Sequence, residues 1–189
     1  MSTADPIRTK DQLHQMSAYF LERGQFRNNS LIVLGVYTAL RISDLLRLKW
    51  DDVFDEPTGR FRSHLCVTEQ KTGKQKTIAL HQQAIHALRL YLPYRRSAYL
   101  FASRKGDRPI SRTQAWRIIS NAAAALDVSG NISCHSLRKT WGYHAWTSQA
   151  VSPVVIMEIY NHSSYDVTKR YLGVEQDDLD KAYLGMMLF

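Results

Sequence analysis

Near the carboxyl end, the stretch NHSSYDVTKRYLG sets His162 nine residues ahead of Tyr171, with Lys169 and Arg170 beside the phenol. A tyrosine hydroxyl has a pKa of ~10 and is a weak nucleophile at neutral pH unless cations and a base stabilise its anion. A tyrosine between Val167 and Leu172 also suits a hydrophobic core, so this stretch alone leaves both readings open. A second set lies in SCHSLRKTWGYHAW. With Ser133 as N-cap, His135 and Arg138 fall one turn apart on one helix face. They sit beside the free N–H groups of a helix start, where an anion is favoured; two solvated polar residues on an ordinary amphipathic helix are the plainer alternative. A third candidate is Arg41 in TALRISDLLRLKWDDV. A guanidinium held at a helix junction can grip a phosphate through two parallel hydrogen bonds, although a surface salt bridge with Asp44 or Asp51 would serve it as well. Lys71, in KTGK, is the fourth. A hairpin could deliver its ammonium as a proton donor, with Lys74 and Lys76 as competitors for that role and solubility as the simpler use.

These residues need elements to bring them together. Thr9 suits the cap of a helix over 10–23, stopped by Gly24. Residues 31–40, after the polar lead Asn28-Asn29-Ser30, are apolar nearly all round and predict a buried central helix. Ser43 predicts the cap of a short helix from Asp44 to Leu48. FRSHLCVTE and KQKTIAL are β-type runs flanking Lys71-Thr72-Gly73, which predicts a hairpin with Lys71 near its tip. Helices follow over 82–91, 111–126, 135–149, 153–160, 164–172 and 175–187, and 93–110 reads as a long surface connection. The expected class is mainly α with a small antiparallel β-sheet (α+β): a loose tail over 1–9, then one domain over 10–189.

The chain has 189 residues, a net charge of +8 and 44% hydrophobic content, enough for one core and basic enough to favour a polyanionic partner. Cys66 and Cys134 form no C-x-x-C pattern, and no carboxylate cluster suggests a metal. No apolar run reaches the length of a membrane span, so a reduced, cytoplasmic setting is expected.

The order Arg41, Lys71, His135-x-x-Arg138, His162, Tyr171, in the motifs TALRISDLLRLKWDDV, KTGK, HSLRKT, NHSS and TKRYLGV, resembles the tyrosine recombinase (phage integrase) family. The resemblance covers about residues 10–185 and implies the fold of that family's catalytic domain. It also implies site-specific DNA recombination through a 3′-phosphotyrosyl intermediate, with neither metal nor other cofactor. Tyr171 would be the nucleophile, Arg41 and Arg138 the phosphate clamp, Lys71 the acid for the leaving 5′-oxygen, His135 the general base and His162 a donor to the phosphate. Asn161 and Ala39 stand where glycine is usual in the family. Many members of the family carry a separate N-terminal core-binding domain; the expectation here is a short form without one, similar to the fimbrial phase-variation recombinases, or else a piece of a longer protein.

Double-stranded DNA is the implied partner, with nucleoid association when bound. On the helix over 111–126, Gln114, Arg117 and Asn121 share a polar face with Arg112 at the helix start, Arg112, Gln114 or Arg117 suits base edges, and Arg104 and Lys105 suit phosphates; a solvated helix face and a solvated loop are the alternatives. The amphipathic stretch 175–187 is expected to dock on a neighbouring protomer in a homo-oligomer, a tetramer on DNA, or else on its own core, and DNA-bending accessory proteins are possible helpers. A type IB topoisomerase and a non-cutting DNA-binding regulator are the rival readings.

Overall fold

The structure is a computed structural model. It describes residues 4–149, 151–162, 164–172, 180 and 183–185, and the side chains of 165 and 170–172 lie outside that description. Helix α1 (Lys10–Leu21) starts at Thr9, whose hydroxyl accepts from Gln12 N at 3.2 Å. Gly24, with φ +62°, turns the chain into α2 (Phe26–Thr38). That helix begins earlier than its apolar run suggests. Asn29 and Ser30 lie inside it and are buried, because Ser17 Oγ donates to Asn29 Oδ1 (2.7 Å) and Ser30 Oγ donates to Ala87 O (3.1 Å). A satisfied polar group can be buried at little cost, so the polar lead is no barrier to the helix.

After α2 come α3 (Ile42–Leu45) and α4 (Trp50–Val53). The expected cap at Ser43 is not used. Arg41, extended at φ −64° and ψ 145°, is the N-cap of α3 and makes no side-chain cap bond. The reason lies upstream: Ala39 ends α2 in the left-handed region at φ 51°, and the chain is already turned for a new helix at Ile42. Two antiparallel hairpins follow, β1 (Phe54–Asp55) with β2 (Arg60–Phe61), and β3 (His64–Thr68) with β4 (Gln75–Ala79), the second in register from His64↔Ala79 to Thr68↔Gln75. Then come α5 (Gln82–Tyr91), a 3-10 turn (Leu92–Tyr94), α6 (Arg112–Ala125), α7 (Cys134–Thr147), α8 (Pro153–Tyr160) and α9 (Tyr165–Leu172).

Helix α2 is the hub and packs against α1, α5 and α7. Leu31 and Leu34 face one hydrophobic cluster with Trp50 and Leu88, while Ile32 faces another with Met16, Ile119 and Leu137. Two expectations change. The connection over 93–110 is not merely superficial, since Leu100 and Phe101 are fully buried and Lys49↔Tyr99 and Ala102↔Pro109 pair as bridges. Within the segment expected to be loose, Asp5 and Ile7 are docked: Ile7 is buried with its N–H on Thr140 Oγ1 (2.9 Å), and Asp5 exchanges two bonds with Asn131. Most of the helix expected over 175–187 lies outside the described residues.

Candidate active site

The site grows from the start of α7. Ser133 and Ser136 close a reciprocal capping box, which fixes the first turn. His135 is exposed in that turn, and Arg138, one turn on, is only 1% exposed. Its Nη1 donates to Ala39 O (2.5 Å) and its Nη2 to Tyr160 O (2.8 Å). The guanidinium carbon lies 4.5 Å from the Tyr160 ring centre, and Tyr160 Oη donates back to Arg138 O at 2.6 Å. Arg138 therefore ties the end of α2 to the end of α8. Both ends are left-handed, at Ala39 (φ 51°) and Asn161 (φ 53°). Those are the two positions where glycine is usual in the family resembled, and the conformation explains why: a side chain there costs about 1–2 kcal/mol.

Arg41 approaches from the other side. Its Nη1 stands 2.9 Å from Glu69 Oε1, although the approach is off the N–H axis, so charge attraction rather than a linear hydrogen bond holds the pair. Glu69 is 1% exposed and follows β3 into the hairpin turn. Its Oε2 accepts from Thr72 Oγ1 (2.9 Å) and Asn161 Nδ2 (3.3 Å). Burial raises the Glu69 pKa, but the Arg41 guanidinium beside it, with hydrogen bonds from Thr72 and Asn161, outweighs that and leaves the carboxyl below its ordinary value. Asp44, also buried, accepts from Gln70 N at 3.1 Å and fastens α3 to the same turn.

The hairpin delivers a lysine, though not the expected one. Lys71 is exposed at the tip, with no hydrogen bond or ion pair to the described residues. Lys76, half-buried on β4, donates to Ile159 O and sits in the cation cluster. Burial, then the charge of Arg138, lowers its pKa to about 8; Glu69 pulls the other way and Arg41 adds to the fall. Lys74 Nζ reaches Asn161 Oδ1 at 2.8 Å.

His162 follows Asn161. Burial, then the charges of Arg138 and Arg41, lower its pKa to about 4, so it is neutral at pH 7. Its Nδ1 lies 3.1 Å from Thr168 Oγ1, one turn before Tyr171 on α9. For a neutral His162 to donate from Nε2, the Thr168 hydroxyl must donate to Nδ1. His135 is lowered by partial burial first and then by Arg138, Lys139 and Arg41, which leaves it able to accept a proton. Helix α9 packs on α7 and α8, so Tyr171 lies on an element seated against the one carrying His135 and Arg138.

The remaining candidates lie elsewhere. Arg112, Gln114 and Arg117 are exposed on α6, and Gln114 Oε1 accepts from Ser111 N (3.4 Å) as part of that helix's cap, which restrains it. Arg104 and Lys105 are exposed in the loop before α6. Trp116, 49% exposed on α6, went unremarked in the sequence. Glu69 and Thr168 were missed too. Alternation would have marked Glu69, because Leu65, Val67 and Glu69 share the inward face. The same rule sets Lys76 with Ile78 and Leu80.

Comparison with known proteins gives the family and the fold. The model of the phage integrase family matches residues 8–177. The probable integrase/recombinase YoeC of Bacillus subtilis is 35% identical over 184 residues, which cover 97% of this chain and 97% of YoeC. The tyrosine recombinase XerD of Mycobacterium tuberculosis is 27% identical over 84% of this chain, which spans 51% of XerD. The crystal structure of the XerH site-specific recombinase in a post-cleavage complex with its palindromic difH substrate superposes with a TM-score of 0.75 at 16% identity, over 97% of this chain and 53% of that one. The match over most of the chain and the 35% identity to a relative covered almost end to end give the conclusion: the chain belongs to the phage integrase family, the tyrosine recombinases that break and rejoin DNA at specific sites.

Proposed function

We propose that this chain cleaves one DNA strand by attack of the Tyr171 hydroxyl on a phosphodiester. The new bond joins phosphorus to the phenolic oxygen, and the bond to the 5′-oxygen breaks. His135 takes the phenolic proton, and a hairpin lysine gives one to the leaving oxygen. Arg41 and Arg138 hold the non-bridging oxygens and offset the charge of the five-coordinate phosphorus; each such donor contributes ~10²–10³ in rate. His162 adds a hydrogen bond from Nε2. A 5′-hydroxyl of a second strand then reverses the step, and one ester replaces another without an external energy source. The single observation behind this reading is that Arg138 ties the Ala39 turn, two residues before Arg41, to the Tyr160 turn, two residues before His162, while α9 packs on α7.

Two lysines compete for the acid role. Lys71 holds the family position, and Lys76 is the one already in the cluster. A substrate with sulfur at the 5′-bridging position needs no acid, so it rescues only the variant that lacks the donor. Rescue of Lys71→Ala supports the first assignment, and rescue of Lys76→Ala the second. The test of the whole reading is a pool of nicked duplexes with random arms, incubated with the chain and recovered as covalent adducts after denaturation. Adducts bearing a 3′-phosphate link, enriched for one sequence, support it, and no adduct above the level of a heat-inactivated control defeats it.

Double-stranded DNA is the substrate in this proposal. Arg104, Lys105, Arg112 and Arg117 are its contacts, exposed together around the start of α6. Assembly into dimers and tetramers on DNA would use the segment over 175–187, where the described Tyr183 and Leu184 are 81% and 85% exposed. Loss of the residues after 176 should weaken assembly on the recovered duplex in gel-shift titrations, and unchanged assembly would rule out that segment. Any accessory DNA-bending protein would act on the duplex outside this domain.

A further inference from the structure

One side chain touches both sides of the cleft in a way that the proposed chemistry does not use. Asn161 sits between α8 and His162 in the left-handed region, φ 53° and ψ 46°. Its amide nitrogen donates to the buried Glu69 carboxylate at 3.3 Å, and its oxygen accepts from Lys74 Nζ at 2.8 Å. Glu69 in turn faces Arg41 and accepts from Thr72. Its backbone closes the same turn, with Glu69 N–H on Lys74 O (3.0 Å) and Gly73 N–H on Glu69 O (2.8 Å). Next along the chain, His162 N–H is held by Met157 O at 3.0 Å. Beside the strap, Lys76 grips Ile159 O.

We infer that Asn161 and Glu69 are positioning residues for strand cleavage: together they strap the β3–β4 turn to the His162 turn and hold Arg41 between them. The inference rests on the recombinase reading above. Neither residue touches the reacting atoms in this account. Asn161 aligns the two turns, and Glu69, with the buried Asp44 fastened to the same turn, supplies negative charge among Arg41, Arg138 and Lys76, so that three cations are held close without driving the turns apart. A cradle already in register loses less on binding than one that must be assembled, and misplacement of a reacting group by about 1 Å can cost ~10²-fold in rate. The strap therefore acts on the rate of cleavage and not on the affinity for DNA, which the exposed basic side chains carry.

Asn161→Gly tests this cleanly, because glycine takes a positive φ without strain and the turn keeps its backbone. Two measurements use the full chain. Hydrogen exchange on the protein alone should show faster exchange at Gly73 and His162 in the variant than in the wild type. On the duplex recovered by covalent trapping, adduct formation should slow about tenfold at saturating DNA, with the half-saturating concentration unchanged. Cleavage at the wild-type rate would overturn the inference. So would unchanged exchange at both amides, or a loss in which affinity falls in proportion to rate, since that would make Asn161 a DNA contact. Glu69→Gln, which keeps the shape and the acceptor toward Thr72 while removing the charge facing Arg41, should lower the rate by a further factor of a few when combined with Asn161→Gly; a double variant no slower than Asn161→Gly alone counts against the charge role of Glu69. Should the wild type form no adduct, the recombinase reading fails, and the exchange measurement still decides whether the strap exists.

Discussion

The two arginines of the cleft are built in opposite ways. Arg138 is enclosed, with at least two of its N–H groups bound to the carbonyls of Ala39 and Tyr160 and its plane against the Tyr160 ring. Arg41 is partly open and is matched by Glu69, a charge partner on a hairpin turn whose tip is exposed. The α7 side is part of the scaffold: the guanidinium proposed to meet a phosphate there also joins two helix ends. The hairpin side is a set of ion pairs and side-chain bonds around Glu69 and Asn161. Rigid on one face and adjustable on the other, such a cleft can keep its geometry while admitting a duplex.

That contrast predicts unequal responses to equal changes. Arg138→Ala should be the most damaging, because it leaves two buried carbonyls unpaired as well as removing a charge; hydrogen bonds to a charged group are worth about 1.5–3 kcal/mol each, and urea denaturation should show the loss. Arg41→Ala should reduce adduct formation ~10²–10³-fold while leaving a folded protein with a smaller loss of stability, since Glu69 keeps Thr72 and Asn161. Equal destabilisation by the two substitutions would erase the distinction drawn here. Next comes Gly142→Ala on α7, whose new Cβ would stand 2.1 Å from Tyr160 Oη. Tyr160 is fully buried and cannot yield, so the variant should lose about 1–3 kcal/mol by the same denaturation assay.

Smaller is the effect of pH. His162 binds its proton near pH 4 in the folded chain and at its ordinary 6.5 when unfolded. Between those values the unfolded chain carries the extra proton, so stability present above 6.5 is lost as pH falls toward 4. Urea midpoints at pH 7 and 4.5 should differ more for the wild type than for His162→Gln. The smallest change expected is Ala39→Gly, which relieves a left-handed alanine and should raise stability by about 1 kcal/mol or less; a marked loss would show that the Ala39 methyl, packed near Ile156 and Tyr160, matters more than its φ.

Much of this arrangement was legible in the sequence because local chemistry dictates it. Thr9, Gly24 and Ser133 mark helix ends by capping and left-handed turning, and Gly73 marks the hairpin. The order of Arg41, Arg138, His162 and Tyr171 marks the family. What escaped depends on distant partners. Nothing near Asn29 or Ser30 says that Ser17 and Ala87 O wait for them, so that helix start was set too late. Leu100 and Phe101 reach the core from a segment rich in turn residues, and only their burial reveals it. Lys71 and Lys76 differ by strand face, a distinction that alternation contains but that the motif alone does not weigh. Glu69 is a lone acid at the end of a strand until the fold sets it against Arg41 and Asn161.

The central claim is that the phenolic oxygen of Tyr171 becomes the covalent attachment point for a DNA strand. Protease digestion of the trapped adduct, followed by mass spectrometry of the nucleotide-bearing peptide, examines it directly. The account predicts one modified peptide, carrying a phosphate ester on Tyr171, and none from Tyr171→Phe. A modified peptide containing another residue, or an adduct that survives Tyr171→Phe, would contradict it.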